Sequence, residues 1–282
     1  MFVVLVLLAM YAYTGLWPPL VVVESNSMMH GTDNLSHIGT IDTGDLVLVR
    51  DIGNVDDIET YVDGFVFGHK TYGDYGDVVV YKRDGSETQT PIIHRAMLYI
   101  ELNPDGHSYR APSLQYLPGE KWSTTNPTDT WDRLTSVVMI YHVGWNDVTV
   151  TIDINNFIPY RGNGFITKGD HNPTIDQMGS HRPVDVTWVV GKARGEIPWF
   201  GLLKLWATDT LGSDAPSNSV RNLWISIGVI VIAPIGIDVA ITFKEKREIA
   251  RKKAAYQLEQ KKENAAEAEE PVKTAGEPKQ QP

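Results

Sequence analysis

GDVVVYKRDGSETQTPIIHRAMLYI, residues 76–100, decides the fold. Two runs rich in Val, Ile and aromatic residues flank a polar stretch dense in Asp, Gly, Ser and Thr. β-Branched and aromatic side chains suit a pleated, half-buried surface, and the polar punctuation marks where the chain leaves it. The same signature recurs outward on both sides: VVVES at 21–25, GDLVLVR at 44–50, SVVMIYHV at 136–143, DVTVTIDI at 147–154, GFITKG at 164–169 and DVTWVVGKA at 185–193. Neither alternating βαβ units nor long amphipathic helices separate these runs. The pattern therefore predicts a mostly β fold, an antiparallel sheet or barrel-like structure. Segments 51–76 and 101–134, with many Gly, Pro, Asp and Ser, read as β-rich insertions between core strands. No internal repeat is visible.

The two ends differ from this middle. Met1 to Trp17 carries no charged side chain, and Leu223 to Phe243 carries only Asp238. A helix crosses a bilayer core with about 17 to 25 apolar residues, so the second segment fits and the first sits at the short limit. A cleavable signal peptide is the other reading of the first segment. It lacks a basic n-region, however, and the residues after it read as a strand rather than a small-residue cleavage site, which favours an uncleaved anchor. Directly after Phe243 comes KEKREIARKK, with six Lys or Arg in ten residues. By the positive-inside rule this end lies in the cytoplasm, as then does the N-terminus, and residues 18–222 face outside. Asp238 reads as a side chain that snorkels to the interface or packs on the other helix.

The expected organisation is an anchor at 1–20, an extracytoplasmic β-rich domain at 21–211, a polar linker at 212–222, a second transmembrane helix at 223–243 and a charged tail at 244–282. The tail begins helical, and its last dozen residues have the composition of a disordered segment.

Composition narrows the function. The 282 residues hold one sizeable core plus appendages, and hydrophobic content of 42% with 21% charged leaves room for few membrane segments. A net charge of −10 with no basic patch interleaved with aromatics argues against a nucleic-acid partner. Zero cysteines exclude a disulfide framework, a cysteine–zinc site and a cysteine nucleophile. The eight histidines are scattered without an H-E-x-x-H, so a metal-dependent hydrolase stays open but has no motif behind it. A non-catalytic β-rich binding module is the other open class.

Ser25 and Ser27 in VVVESNSMMHG lie at i, i+2, on one side of an extended chain. Serine is a weak nucleophile unless a base lies within hydrogen-bond reach. His94 is a candidate base, although a histidine in an apolar strand is more commonly an ordinary core residue. Three boxes accompany the serines: IDTGDLVLVR at 41–50, GDVVVYK with PIIHRAM at 76–97, and GFITKGDHNPTID at 164–176.

In this order the boxes resemble signal peptidase I, and are most similar to the archaeal and endoplasmic-reticulum branch, which has histidine where bacterial enzymes have lysine. The resemblance covers roughly residues 1–206, including GKARGEIPWFGLLKLW at 191–206. It implies a signal-peptidase-like antiparallel β catalytic domain, which the two apolar segments flank with transmembrane helices. It also implies a serine endopeptidase that removes signal peptides from exported preproteins, with neither cofactor nor metal. Implied partners are preprotein signal peptides, membrane lipid and the protein-export channel. Carried over, Ser27 matches the nucleophile, Ser25 the hydroxyl that helps bind the oxyanion, and His94 the general base. Asp170 and Asp176 match the two aspartates of the branch, the second being the one usually held essential. His30 departs from the pattern, standing where the family often has proline.

Histidine, with a free pKa of about 6.5, suits base chemistry near neutral pH without the burial a lysine requires. Lys82, at the end of VVVYK, is the competing base, but the lysine of bacterial relatives occupies the box that here reads Ile93–His94–Arg95. Met28 and Met29, with Trp199, Phe200 and Trp206, are expected against the core or as an apolar skirt dipping into the membrane interface.

Overall fold

The computed structural model describes residues 2–179, 181–211 and 215–268. Each of the eight β-like runs carries a strand: Leu20–Val22, Leu46–Arg50, Val78–Tyr81, Ile92–Leu102, Val137–Val143, Val148–Asp153, Gly164–Lys168 and Val189–Ile197. One boundary shifts. The Asp185 side chain accepts the Thr187 N–H and caps a single 3-10 turn, Val186–Trp188, so the last strand begins only at Val189.

The main sheet runs in the order Leu20–Val22, Leu46–Arg50, Val189–Ile197, Val78–Tyr81, Ile92–Leu102, Gly164–Lys168, and the short strand Tyr109–Arg110 pairs with the end of Ile92–Leu102. All of these pairings are antiparallel. Val78–Tyr81 is buried along its whole length. Its side chains alternate between two cores, Val78 and Val80 packing with Val23, Met28, Ile41 and Val47, and Val79 and Tyr81 packing with Ile58, Phe165 and Val184. A strand covered on both faces loses the apolar/polar alternation and reads as the continuous VVVY of the sequence.

The runs at 137–153 belong elsewhere. Val148–Asp153, Val137–Val143 and Trp122–Thr124 form a separate three-stranded antiparallel sheet. The largest core joins the two sheets, with Met97, Leu98, Ile100 and Ile166 on one side and Ile140, Val150 and Ile152 on the other. Segment 101–134 thus supplies two short strands and several turns. Segment 51–76 is only partly β. It contains a helix, Tyr61–Phe67, capped reciprocally by Thr60 and Asp63 and closed by left-handed Gly68. The two-residue strands Lys70–Thr71 and Asp74–Tyr75 come after it.

Met28 and Met29 are 1% and 5% exposed, so they are core residues and not part of an apolar skirt. Trp199 and Phe200 are half-buried, Trp199 donating its indole N–H to Ser36, which leaves Trp206 as the exposed member at 37%.

At the N-terminal end the helix spans Phe2–Thr14. Its 13 residues reach about 20 Å, against about 30 Å for a bilayer core. The chain divides into two units at Leu223/Trp224, and the second consists of the body of a long helix, Ser219–Ala268. Among the described residues this is the one helix long and apolar enough to cross a membrane. It runs unbroken from the apolar stretch into KEKREIARKK, and its first four residues take in part of the expected linker. Residues 212–214 of that linker, and the final residues expected to be disordered, lie outside the described residues.

Candidate active site

Ser27 lies just beyond the edge strand Leu20–Val22, and buried Met28 pins the chain beside it. The Ser27 carbonyl accepts the backbone N–H of His171 at 2.9 Å, which ties the serine loop to the loop 169–172. Ser25 is exposed, and its hydroxyl is 3.1 Å from that of Ser27.

His94 sits inside the long strand Ile92–Leu102, paired with Val79, and is 8% exposed. Its Nε2 is 2.8 Å from Ser27 Oγ and its Nδ1 is 2.6 Å from Asp176 Oδ2. Asp176 is held in turn by its own N–H, bonded to the Thr167 carbonyl at 2.9 Å. The same Oδ2 receives the hydroxyls of Thr167 at 2.7 Å and Tyr81 at 2.9 Å. Gln177 completes the set, donating to Thr167 Oγ1 at 3.0 Å and accepting the Thr167 N–H at 2.9 Å. Burial, reinforced by the charge of Asp176, pushes the Tyr81 hydroxyl far up, so it stays protonated and a donor. This arrangement fixes one tautomer, Nδ1–H toward the carboxylate and Nε2 free to accept from serine.

Asp170 is turned to other partners. Arg95 grips it with two bonds, Nε to Oδ1 at 2.8 Å and NH2 to Oδ2 at 2.6 Å, and His30 Nε2 lies 2.9 Å from Oδ2. The remaining Arg95 nitrogen donates to the carbonyls of Thr71, Tyr75 and Gly76 at 3.0–3.1 Å. Burial alone would raise the Asp170 carboxyl, but the Arg95 guanidinium and the hydrogen bonds from His30 and Arg95 outweigh it and hold it well below the carboxylate range. Of the two candidate aspartates, Asp176 contacts His94 and Asp170 braces the surrounding loops.

Neither lysine of the motifs bonds to the serine. The Lys82 ammonium is held by both carboxylate oxygens of Glu87, at 2.7 and 2.8 Å. Lys168 is buried, which lowers its pKa, and donates to the carbonyls of Gly169 and Asp170 at 2.9 and 3.2 Å. Between these groups Gly169 approaches so closely that a Cβ on it would lie 2.6 Å from the Ser27 carbonyl and 2.9 Å from His94 Nε2.

A cleft of about 310 Å³ opens beside the serine, lined by Val22, Pro91, Ile92 and Ile93 with Ser25, Ser27 and His94, and by the charged Glu24 and Arg83. A hydroxyl, an imidazole and a carboxylate bonded in series next to a partly apolar cleft have the arrangement that acyl transfer requires.

Sequence reasoning singled out Ser25, Ser27, His94, Asp170 and Asp176 but missed their supports, namely Tyr81, Thr167, Gln177, His30 and Arg95. One signal was available. Arg95 adjoins His94 in an apolar strand, where an arginine is buried only with an anionic partner.

No family model, no curated protein and no solved structure matches the chain.

Proposed function

We propose that the chain is a membrane-bound serine endopeptidase that removes signal peptides from exported preproteins. The observation that carries this reading is the bonded series Ser27–His94–Asp176, at 2.8 and 2.6 Å. The resemblance of the S-x-S-M, IIHR and KGD boxes to signal peptidase I supplies the substrate class.

In this reaction His94 Nε2 takes the Ser27 proton as Oγ attacks the scissile carbonyl. The resulting oxyanion is stabilised by the Ser25 hydroxyl, and Asp176 stabilises the imidazolium. His94 then returns the proton to the leaving amine, and a water, activated by the same imidazole, hydrolyses the acyl-enzyme. The cleft beside Ser27 receives the residues before the cleavage point, which are small in signal peptides. The chemistry requires neither metal nor cofactor.

The helix from Ser219 anchors the enzyme in the cell membrane, and the apolar segment ending near Trp17 supplies a second span, its short helix matched by local thinning of the bilayer. Both termini are cytoplasmic and residues 18–222 lie outside, in reach of preproteins at the export channel and of the lipid surface. Protease added to sealed cells should digest 18–222 and spare the tail from Lys244.

The decisive experiment is cleavage of a preprotein by the purified protein in detergent. Ser27→Ala should abolish it with the fold intact, and Ser25→Ala should cost about tenfold to a thousandfold as one oxyanion donor. Full activity in Ser27→Ala would sink the reading.

A further inference from the structure

Trp145 stands at the turn joining Val137–Val143 to Val148–Asp153, in the second sheet. Its indole stacks on two imidazoles, with His30 at a ring-centroid distance of 5.8 Å and 28° between planes, and His171 at 6.1 Å and 19°. Each imidazole belongs to a loop that holds part of the Ser27–His94 pair. His30 comes three residues after Ser27 and bonds to Asp170 at 2.9 Å. His171 donates its backbone N–H to the carbonyl of Ser27 at 2.9 Å. Gly169, two residues before His171, packs its backbone against Ser27 and His94.

We propose that Trp145 is a positioning residue for the Ser27–His94 pair. By stacking on His30 and His171 it sets the spacing between the serine loop and the loop 169–172. The inference rests on the reading of Ser27 as nucleophile, and it gives the second sheet a task in the reaction. It also gives the His30 imidazole two tasks, a flat face to the indole and a nitrogen to Asp170. Misplacing reacting atoms by about 1 Å costs up to about a hundredfold in rate, so loss of this contact should be read in kcat.

The test is preprotein cleavage by full-length wild type, Ser27→Ala, Trp145→Ala, Trp145→Leu and Trp145→Phe, with far-UV circular dichroism and thermal midpoints alongside. Leucine keeps apolar bulk without an aromatic face, and phenylalanine keeps the face. Trp145→Ala and Trp145→Leu should lose about ten- to a hundredfold in kcat with KM within about twofold, while Trp145→Phe stays within about threefold of wild type. Equal activity of the Leu and Phe variants, or a loss confined to KM, would overturn the inference. Should Trp145→Ala fail to fold, the Leu and Phe pair decides. A cleaving wild type with an inert Ser27→Ala secures the nucleophile whatever the Trp145 variants do, and a wild type that cleaves nothing overturns both.

Discussion

Asp170 and Arg95 form a two-pronged ion pair inside the fold, with bonds of 2.8 and 2.6 Å and side chains 5% and 1% exposed. Arg95 is the residue after His94 on the same strand, so the two side chains leave opposite faces of the sheet, one toward Ser27 and the other toward the loops.

Removing Asp170 strands a buried guanidinium, and Asp170→Ala should cost about 3–5 kcal/mol of stability. The pH dependence has a definite sign. Because the folded state holds the Asp170 carboxyl below its ordinary value of 3.8, the native protein binds fewer protons there than the unfolded chain. Its contribution is therefore fully present above that ordinary value and is lost as pH falls through it toward the folded value. Thermal midpoints between about pH 5 and pH 2 should fall more steeply for wild type than for Asp170→Asn. Parallel curves would show that the pair adds no acid-sensitive stability.

Asp176 gathers three bonds on one oxygen, from His94, Thr167 and Tyr81. Its side chain is 12% exposed and has no guanidinium partner among the described residues, so Asp176→Ala should leave the fold intact and lower kcat/KM by about a thousand- to ten-thousandfold. Tyr81→Phe removes one donor and should cost far less, about three- to tenfold in kcat. Thr167→Ser should behave as wild type and Thr167→Val should not, because only the first retains the hydroxyl. A normal Asp176→Ala enzyme beside a folded but inert Asp170→Ala enzyme would reverse the two roles.

Eight of the twelve strands among the described residues were legible because β-branched runs bounded by Gly and Asp carry their own signal, whereas the two- and three-residue strands within 51–76 and 101–134 are too short to carry one. Sheet membership was not, since pairing is a long-range choice. The run 136–154 has the composition of a main-sheet hairpin and joins a separate sheet. The helix Tyr61–Phe67 was missed for a different reason. YVDGFVF is poor in helix formers, and the Thr60–Asp63 box with Gly68 overrides that preference. At the site, the resemblance of the boxes to signal peptidase I pointed to Ser27, His94 and two aspartates. The division of labour between the aspartates depends on which loop closes over which face, which spacing alone does not encode.

His94 and Lys82 separate cleanly. Lys82 is held by Glu87 in a pair whose side chains are 33% and 76% exposed, worth no more than about 1 kcal/mol. Lys82→Ala should therefore keep kcat/KM within a few-fold of wild type. His94→Ala removes the group bonded to both Ser27 and Asp176 and should lose about a millionfold in kcat, as base deletions in serine proteases do. An active His94→Ala protein, or one silenced only by Lys82→Ala, would return the lysine to the role of base.

Gly169 gives the most local test of the geometry. Its backbone conformation is not one reserved for glycine, so the constraint is one of space. An added Cβ would sit 2.6 Å from the Ser27 carbonyl oxygen, 2.7 Å from Asn172 Nδ2 and 2.9 Å from His94 Nε2. The Asn172 amide can swing away, but the other two neighbours are fixed. One is backbone held by the His171 N–H, and the other is a ring fastened at its far side to Asp176. The methyl group must therefore push the serine loop away from His94, lengthening the 2.8 Å bond through which the proton passes. Gly169→Ala should fold, with a thermal midpoint lowered by a few degrees, and should lose about a hundredfold or more in kcat. Gly179→Ala is the control, because nothing lies within 4 Å of a Cβ there. It should cost a little stability through its positive φ and leave kcat unchanged. Equal kcat for the two alanine variants would mean that Gly169 does not set the Ser27–His94 distance.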